Sequence, residues 1–165
     1  MAPRSFVLLA LGWLALPGCS KPDKAEVAHR MWVDHLPQDA RENFSGVLIS
    51  GKDDVQVGVF HNGSAFEGTW SLFTWKPKDD GRAELELLQQ EKTYRVRIDM
   101  DACEVPKGFD YCMAWKGGPG GSKHWYSRAR WYLPADAELG GAQLQPQLTA
   151  MMLEDLGLST QGESQ

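Results

Sequence analysis

Residues 93–100 read TYRVRIDM, and the order of their side chains settles the backbone beneath them. Tyr94, Val96, Ile98 and Met100 fall on one side of an extended chain, Arg95, Arg97 and Asp99 on the other. A two-residue period of this kind marks a β-strand with one dry face and one wet face. A helix does not give it, because its turn of 3.6 residues would carry the charged positions round onto the apolar side.

The same reading extends in both directions. FDYCMAWK (109–116) repeats the pattern, with Phe109, Tyr111, Met113 and Trp115 together. Upstream, FSGVLIS (44–50) and VQVGVFH (55–61) are β-rich runs parted by the polar turn GKDD (51–54). HNGS (61–64) carries Asn62-Gly63, suited to the left-handed positions of a tight hairpin. AFEGTWSLFTWK (65–76) follows and stops at KPKDDG (76–81). RAELELLQQ (82–90) consists of good helix formers. Yet Ala83, Leu85 and Leu87 alternate with Glu84 and Glu86, and so short a run between two turns favours a strand. GGPGGS (117–122) then leads into the aromatic stretch KHWYSRARWYL (123–133).

Seven strands with short turns define an all-β class, an antiparallel meander curling into a small barrel or a strongly bent sheet. A short helix is expected at each end. In SKPDKAEVAHRMWVDHLPQDAREN (20–43), Asp23 can cap and Val27, Met31 and Trp32 fall near one face before Pro37 interrupts. In QPQLTAMMLEDLG (145–157), Pro146 suits a first turn, Leu148, Met151, Met152 and Leu156 have helical spacing, and Gly157 is a stop. That helix packs on the sheet or plugs one end of it. The organisation expected is a leader (1–18), an anchor, tether and short helix (19–43), the antiparallel domain (44–133), and a C-terminal helix with a frayed tail (134–165).

The leader has one basic residue, Arg4, before an apolar run from Phe6 to Leu16, with small residues after it. Eleven residues are too few for a membrane span, which needs about 20. Leu16-Pro17-Gly18-Cys19 resembles the lipobox of bacterial lipoproteins. That resemblance implies cleavage before Cys19, a diacylglycerol thioether on its sulfur, usually an acyl chain (palmitate or similar) on the new amino terminus, and a body held at a membrane. With Ser20 and no Asp after the cysteine, it implies retention at the outer membrane of the cell envelope. Two or more acyl chains anchor stably, where one does not.

Cys103 and Cys112 remain, and in an exported chain an even pair reads as a disulfide. The bridge would close CEVPKGFDYC, worth about 3 kcal/mol by the chain-entropy model. Of the 17 basic residues only Arg4 falls in the leader, and none of the 22 acidic ones does, so the exported part carries 16 against 22 and a net charge of −6. That balance lacks the basic footprint of phosphate binding, and nucleic acid is not an expected partner.

On a strand, KHWYSRARWYL puts His124, Tyr126, Arg128, Arg130 and Tyr132 on one face and Trp125, Ser127, Ala129 and Trp131 on the other. The second face suits a core. The first either lines a wet cavity or faces solvent, and it is the candidate surface for a ligand or a partner: aromatic rings stack on sugars or apolar groups, and arginine forks carboxylates or phosphates. Gly68-Thr69-Trp70 contains Gly-x-Trp, which resembles the motif of lipocalins, barrels that hold small apolar ligands. The lipocalin motif belongs to a first strand, whereas Trp70 falls on the third, and the arginine partner that the resemblance implies would be Arg128 or Arg130.

Catalytic signatures are not evident. Glu26 and His29 share helical spacing without a second pair to complete a metal site, and His35, His61 and His124 read as surface histidines. Ser45 and Ser64 lack the context of a nucleophile elbow. Gly117–Lys123 departs from a phosphate loop, since Ser122 replaces the last glycine and no Ser or Thr follows Lys123. No metal or cofactor is expected. The reading is a lipid-anchored, non-catalytic binding or interaction module engaging another envelope protein or the cell wall, with a lipocalin-like carrier of small amphiphiles as the alternative.

Overall fold

A computed structural model describes residues 27–51, 54–100, 102–133 and 141–157. The leader, Cys19, Asp23 and the tail from residue 158 lie outside them. Eight strands run in chain order: β1 (Met31–Val33), β2 (Phe44–Ser50), β3 (Gln56–Gly63), β4 (Gly68–Pro77), β5 (Arg82–Leu87), β6 (Lys92–Asp99), β7 (Tyr111–Gly118) and β8 (Gly121–Ser127). Each pairs antiparallel with the next, and β1 returns to β8 through Val33 opposite Tyr126, closing the barrel. Closure leaves no free sheet edge. RAELEL is a strand, as its alternation indicates.

Two expectations are corrected. Met31 and Trp32 do not ride on a helix; a single turn at Val27 passes directly into β1. Their spacing imitates a helical face, but Met31–Val33 pairs with Gly46–Leu48, and Trp32 points into the barrel. The extended run of KHWYSRARWYL also ends early. The strand stops at Ser127 and the chain turns at Ala129 and Arg130 before Tyr132 forms a bridge to Arg30.

The interior is the first core. Trp32, Val47, Ile49, Phe73, Trp75, Leu85, Val96, Met113, Trp115 and Trp125 are buried there. Phe60 stacks on Phe73 at 4.6 Å and faces Trp115 at 5.6 Å, and Trp75 meets Trp115 at 5.4 Å. Eight-stranded barrels have room for side chains or one small ligand, and aromatic rings take up much of this one.

A second core lies outside the barrel. Helix α1 (Gly141–Asp155) sets Leu144, Leu148 and Met152 on one face and presses them onto Met31, Val33, Phe44, Leu48 and Val59. Gly46 makes this approach feasible, since a Cβ there would sit 3.3 Å from a Leu148 methyl. Pro146 stands inside α1, not in its first turn, so the helix does without one backbone hydrogen bond. Gly157 adopts a positive φ of 70° and ends the helix as expected. Cys103 and Cys112 are joined in a disulfide that ties the long β6–β7 connection to the start of β7.

Candidate functional site

The five residues of the expected surface do not share one face. His124 and Tyr126 point outward from β8, and Tyr126 stacks on Phe109 at 5.3 Å. Tyr132 flanks the guanidinium of Arg30, which lies 4.2 Å from the Tyr111 ring and 5.5 Å from the Tyr132 ring. Nη1 of Arg128 lies 2.7 and 2.6 Å from the two carboxylate oxygens of Asp155 of α1, and its Nε–H donates to the Gly108 carbonyl. Arg130 bonds the same carboxylate, and Trp131 donates its indole N–H to it at 3.2 Å. The carboxylate is 1% exposed. Its hydrogen bond raises the pKa of Arg130 further. Both arginines are thus taken up in fastening the helix to the barrel, on its outside. Trp131 sits in the outer core while Trp125 sits in the interior.

Trp70, the tryptophan of Gly-x-Trp, lies on the fourth strand and faces outward, stacked on His61 at 4.2 Å. His61 is buried, and desolvation lowers its pKa against the opposing pull of backbone hydrogen bonds at Ser64 and Gly63. Its Nε2 is 2.8 Å from the Ser64 carbonyl, so the neutral ring donates there.

In an antiparallel meander alternate turns gather at the same end. The β1–β2 loop, the β3–β4 hairpin, the β5–β6 turn and the β7–β8 hairpin all lie at one end of this barrel. There, Ser45, Asn62 and Thr69 stand opposite one another on the inward face of β2, β3 and β4. Asn62 and Thr69 border a basin of about 590 Å³, whose wall includes Arg41, Asn43, Ser64, Phe66 and Glu67. That is within the range of small-molecule sites. Phe66 is 66% exposed on its rim. Two residues deeper than Asn62 on the same face, Phe60 is only half-buried, so the barrel interior opens toward this end.

Contacts carry the site further inward. Ser45 Oγ lies 3.4 Å from Asn62 Oδ1 and 3.4 Å from the Lys123 ammonium. Lys123 faces inward with Trp125, its Nζ 5.6 Å from that ring. Trp115 stands directly opposite Lys123 on β7, 5.8 Å from Trp125 ring to ring. The indole N–H groups of Trp115 and Trp125 are buried and find no acceptor. Neither the basin nor this cluster was foreseen from the sequence. Its residues come from separate segments, and only the register brings them together.

Among the described residues, no group of three or more His, Cys, Asp or Glu is placed to hold a metal ion. No described helix is long and apolar enough to cross a membrane. No family model, no curated protein and no solved structure matches the chain.

Proposed function

We propose that this chain is a lipid-anchored binding barrel of the bacterial cell envelope, without catalytic function, which holds a small ligand at its open end. The observation that carries the reading is the basin of about 590 Å³ framed by inward-facing Asn62 and Thr69, with half-buried Phe60 beneath it. A polar rim over an aromatic floor suits a molecule that is part polar and part apolar. The outer surface supports a protein partner less well, because Arg128 and Arg130 are bound to Asp155. The interaction module remains the second reading, favoured by exposed Phe66 on the rim.

The anchoring rests on Leu16-Pro17-Gly18-Cys19 and the apolar run before it. In a bacterial host, Cys19→Ala is expected to move most of the protein out of the lipid-modified membrane fraction. Unchanged fractionation with no loss of lipid mass would remove the anchor from the proposal.

The binding role is tested by native mass spectrometry on residues 20–165, exported without the lipid and purified gently. A reproducible extra mass that leaves on denaturation is expected. A bare protein mass, with crosslinks to another envelope protein in intact cells, would replace the ligand barrel with the interaction module.

A further inference from the structure

The cluster below the basin is rich in donors and short of acceptors. Lys123 brings an ammonium into the barrel and makes no ion pair among the described residues; its nearest polar contact is the Ser45 hydroxyl, at 3.4 Å. Trp115 and Trp125, buried to within 2% and 3% of full, each keep an indole N–H without a partner. Buried donors without acceptors are rare in folded proteins, and adjacent ones rarer. The indole nitrogen of Trp115 lies 2.5 Å from where a Cβ on Gly118 would stand, which directs that edge of the ring toward the β7–β8 hairpin and the open end.

Of the other unpartnered polar atoms, Arg30 Nε and Gln56 Oε1 belong to the opposite end of the barrel, and Thr74 Oγ1 to the outer side of β4. On His29 and His61 the bare atom is Nδ1, while Nε2 of each ring meets a backbone carbonyl. A neutral ring in that tautomer has no proton on Nδ1 to place. Trp115 and Trp125 have no such alternative, because an indole nitrogen is a donor only.

Among the described residues no carboxylate of this end pairs with Lys123; Asp39 accepts backbone N–H groups of its own loop and Glu42 contacts His35. Glu67 is on the exposed rim. Asp34 accepts the Ser45 backbone N–H at 2.8 Å and contacts His35 at 2.9 Å. The cation is therefore held over the Trp125 ring beside free donors, and Ser45 links it to Asn62 in the wall of the basin.

We propose that this cluster is a head-group site: the open end of the barrel takes a small amphiphile with an acidic head, which Lys123 and the Trp115 and Trp125 indoles receive while Phe60 and the rim cover its body. The inference rests on the open-end reading above and names the ligand class for it. Carboxylate and phosphate heads share the needed chemistry, namely a negative charge and oxygen acceptors in one group. The cation that selects the ligand is Lys123, not the arginines of residues 128–130.

The test is isothermal titration of residues 20–165 with octanoate, octyl phosphate and octanol, all below their micellar concentrations. At least one anion is expected to bind tighter than octanol by about tenfold or more, the worth of one charge-assisted hydrogen bond. Whichever anion leads identifies the head as carboxylate or phosphate. Lys123→Met, which keeps the apolar stem, is expected to erase that preference. Equal affinities for all three, no binding by any, or an anion preference that survives in Lys123→Met would overturn the inference. The wild-type comparison decides the matter even if the variant fails to fold. Asn62→Trp should block the entrance and abolish binding; full binding in that variant would overturn the location. An uncharged native ligand that Asn62→Trp excludes would sink the head-group site yet leave the binding barrel standing.

Discussion

The two halves of the barrel wear different outer faces. On β1–β4 the outward residues Met31, Val33, Phe44, Leu48 and Val59 are as dry as those pointing inward. On β5 and β6 the outward residues Glu84, Glu86, Arg95 and Arg97 are not buried, nor is Lys116 near the end of β7, while Leu85, Val96 and Met113 fill the interior; Cys112 and Ala114 are covered outward positions on β7. The difference comes from α1, which covers β2 and β3 and leaves β5 and β6 to water. Alternation in a sequence therefore reports what lies over the outer face of a sheet as much as it reports the strand itself.

The comparison breaks most sharply under truncation. Leu148→Ala removes a fully buried side chain of α1 and is expected to lower the unfolding free energy by about 2–5 kcal/mol. Arg95→Ala, on the wet half, should change it by no more than about 0.5 kcal/mol. Denaturant midpoints measure both. Comparable small losses would mean that α1 merely rests on the barrel and that the outer layer is no second core.

The fastening of α1 comes next. Asp155→Asn keeps the shape of the side chain but leaves Arg128 and Arg130 facing a neutral amide. Breaking a buried pair costs at least about 3 kcal/mol, and the exposure of Arg130 puts this one at the lower end. Hydrogen exchange should rise through residues 141–157 and on the outward side of β2 and β3, with β5–β7 unaffected. Uniform loosening of all eight strands would show that the covered half has no independent stability.

Much of the wet half is legible from the chain alone. TYRVRIDM and RAELEL show their inner and outer faces residue by residue, because one face is charged. The covered half yields only its class: FSGVLIS is buried on every residue, and a continuous apolar run does not declare which side is which. Met31–Val33 is too short to express a period, and the spacing of Val27, Met31 and Trp32 fits a helix equally well. Within KHWYSRARWYL the alternation is real as far as Ser127. The turn that follows is held by Asp110, which accepts the Ala129 N–H, and its side chains by Asp155, a carboxylate 25 residues beyond Arg130; no local pattern connects either to it. The basin and its cluster depend on register in the same way, since Lys123 and Ser45 lie 78 residues apart.

A smaller effect belongs to the wet half. Its long β6–β7 connection is closed by Cys103 and Cys112. Cys103→Ser, which frees this loop in the unfolded chain, is expected to cost about 2–3 kcal/mol under oxidising conditions and nothing further under reductant. Melting with and without reductant gives the answer. Identical curves for the wild type in the two conditions would mean that β6 and β7 are held by pairing alone.

The smallest effect returns to the covered half and turns on pH. His61 faces outward from β3 between Phe44 at 4.8 Å and Trp70 at 4.2 Å, and burial lowers its pKa. The unfolded chain, with an ordinary histidine pKa of about 6.5, therefore takes up its proton first as the solution is acidified. Stability from this group is fully present above that value and is lost as pH falls from it toward the folded pKa. The outward face of β5–β7 carries no buried histidine to act this way. His61→Gln can still donate to the Ser64 carbonyl but does not titrate, so its denaturant midpoint should fall less than that of the wild type between pH 7.5 and 5.5. An equal fall in both would move the acid sensitivity to a group other than His61.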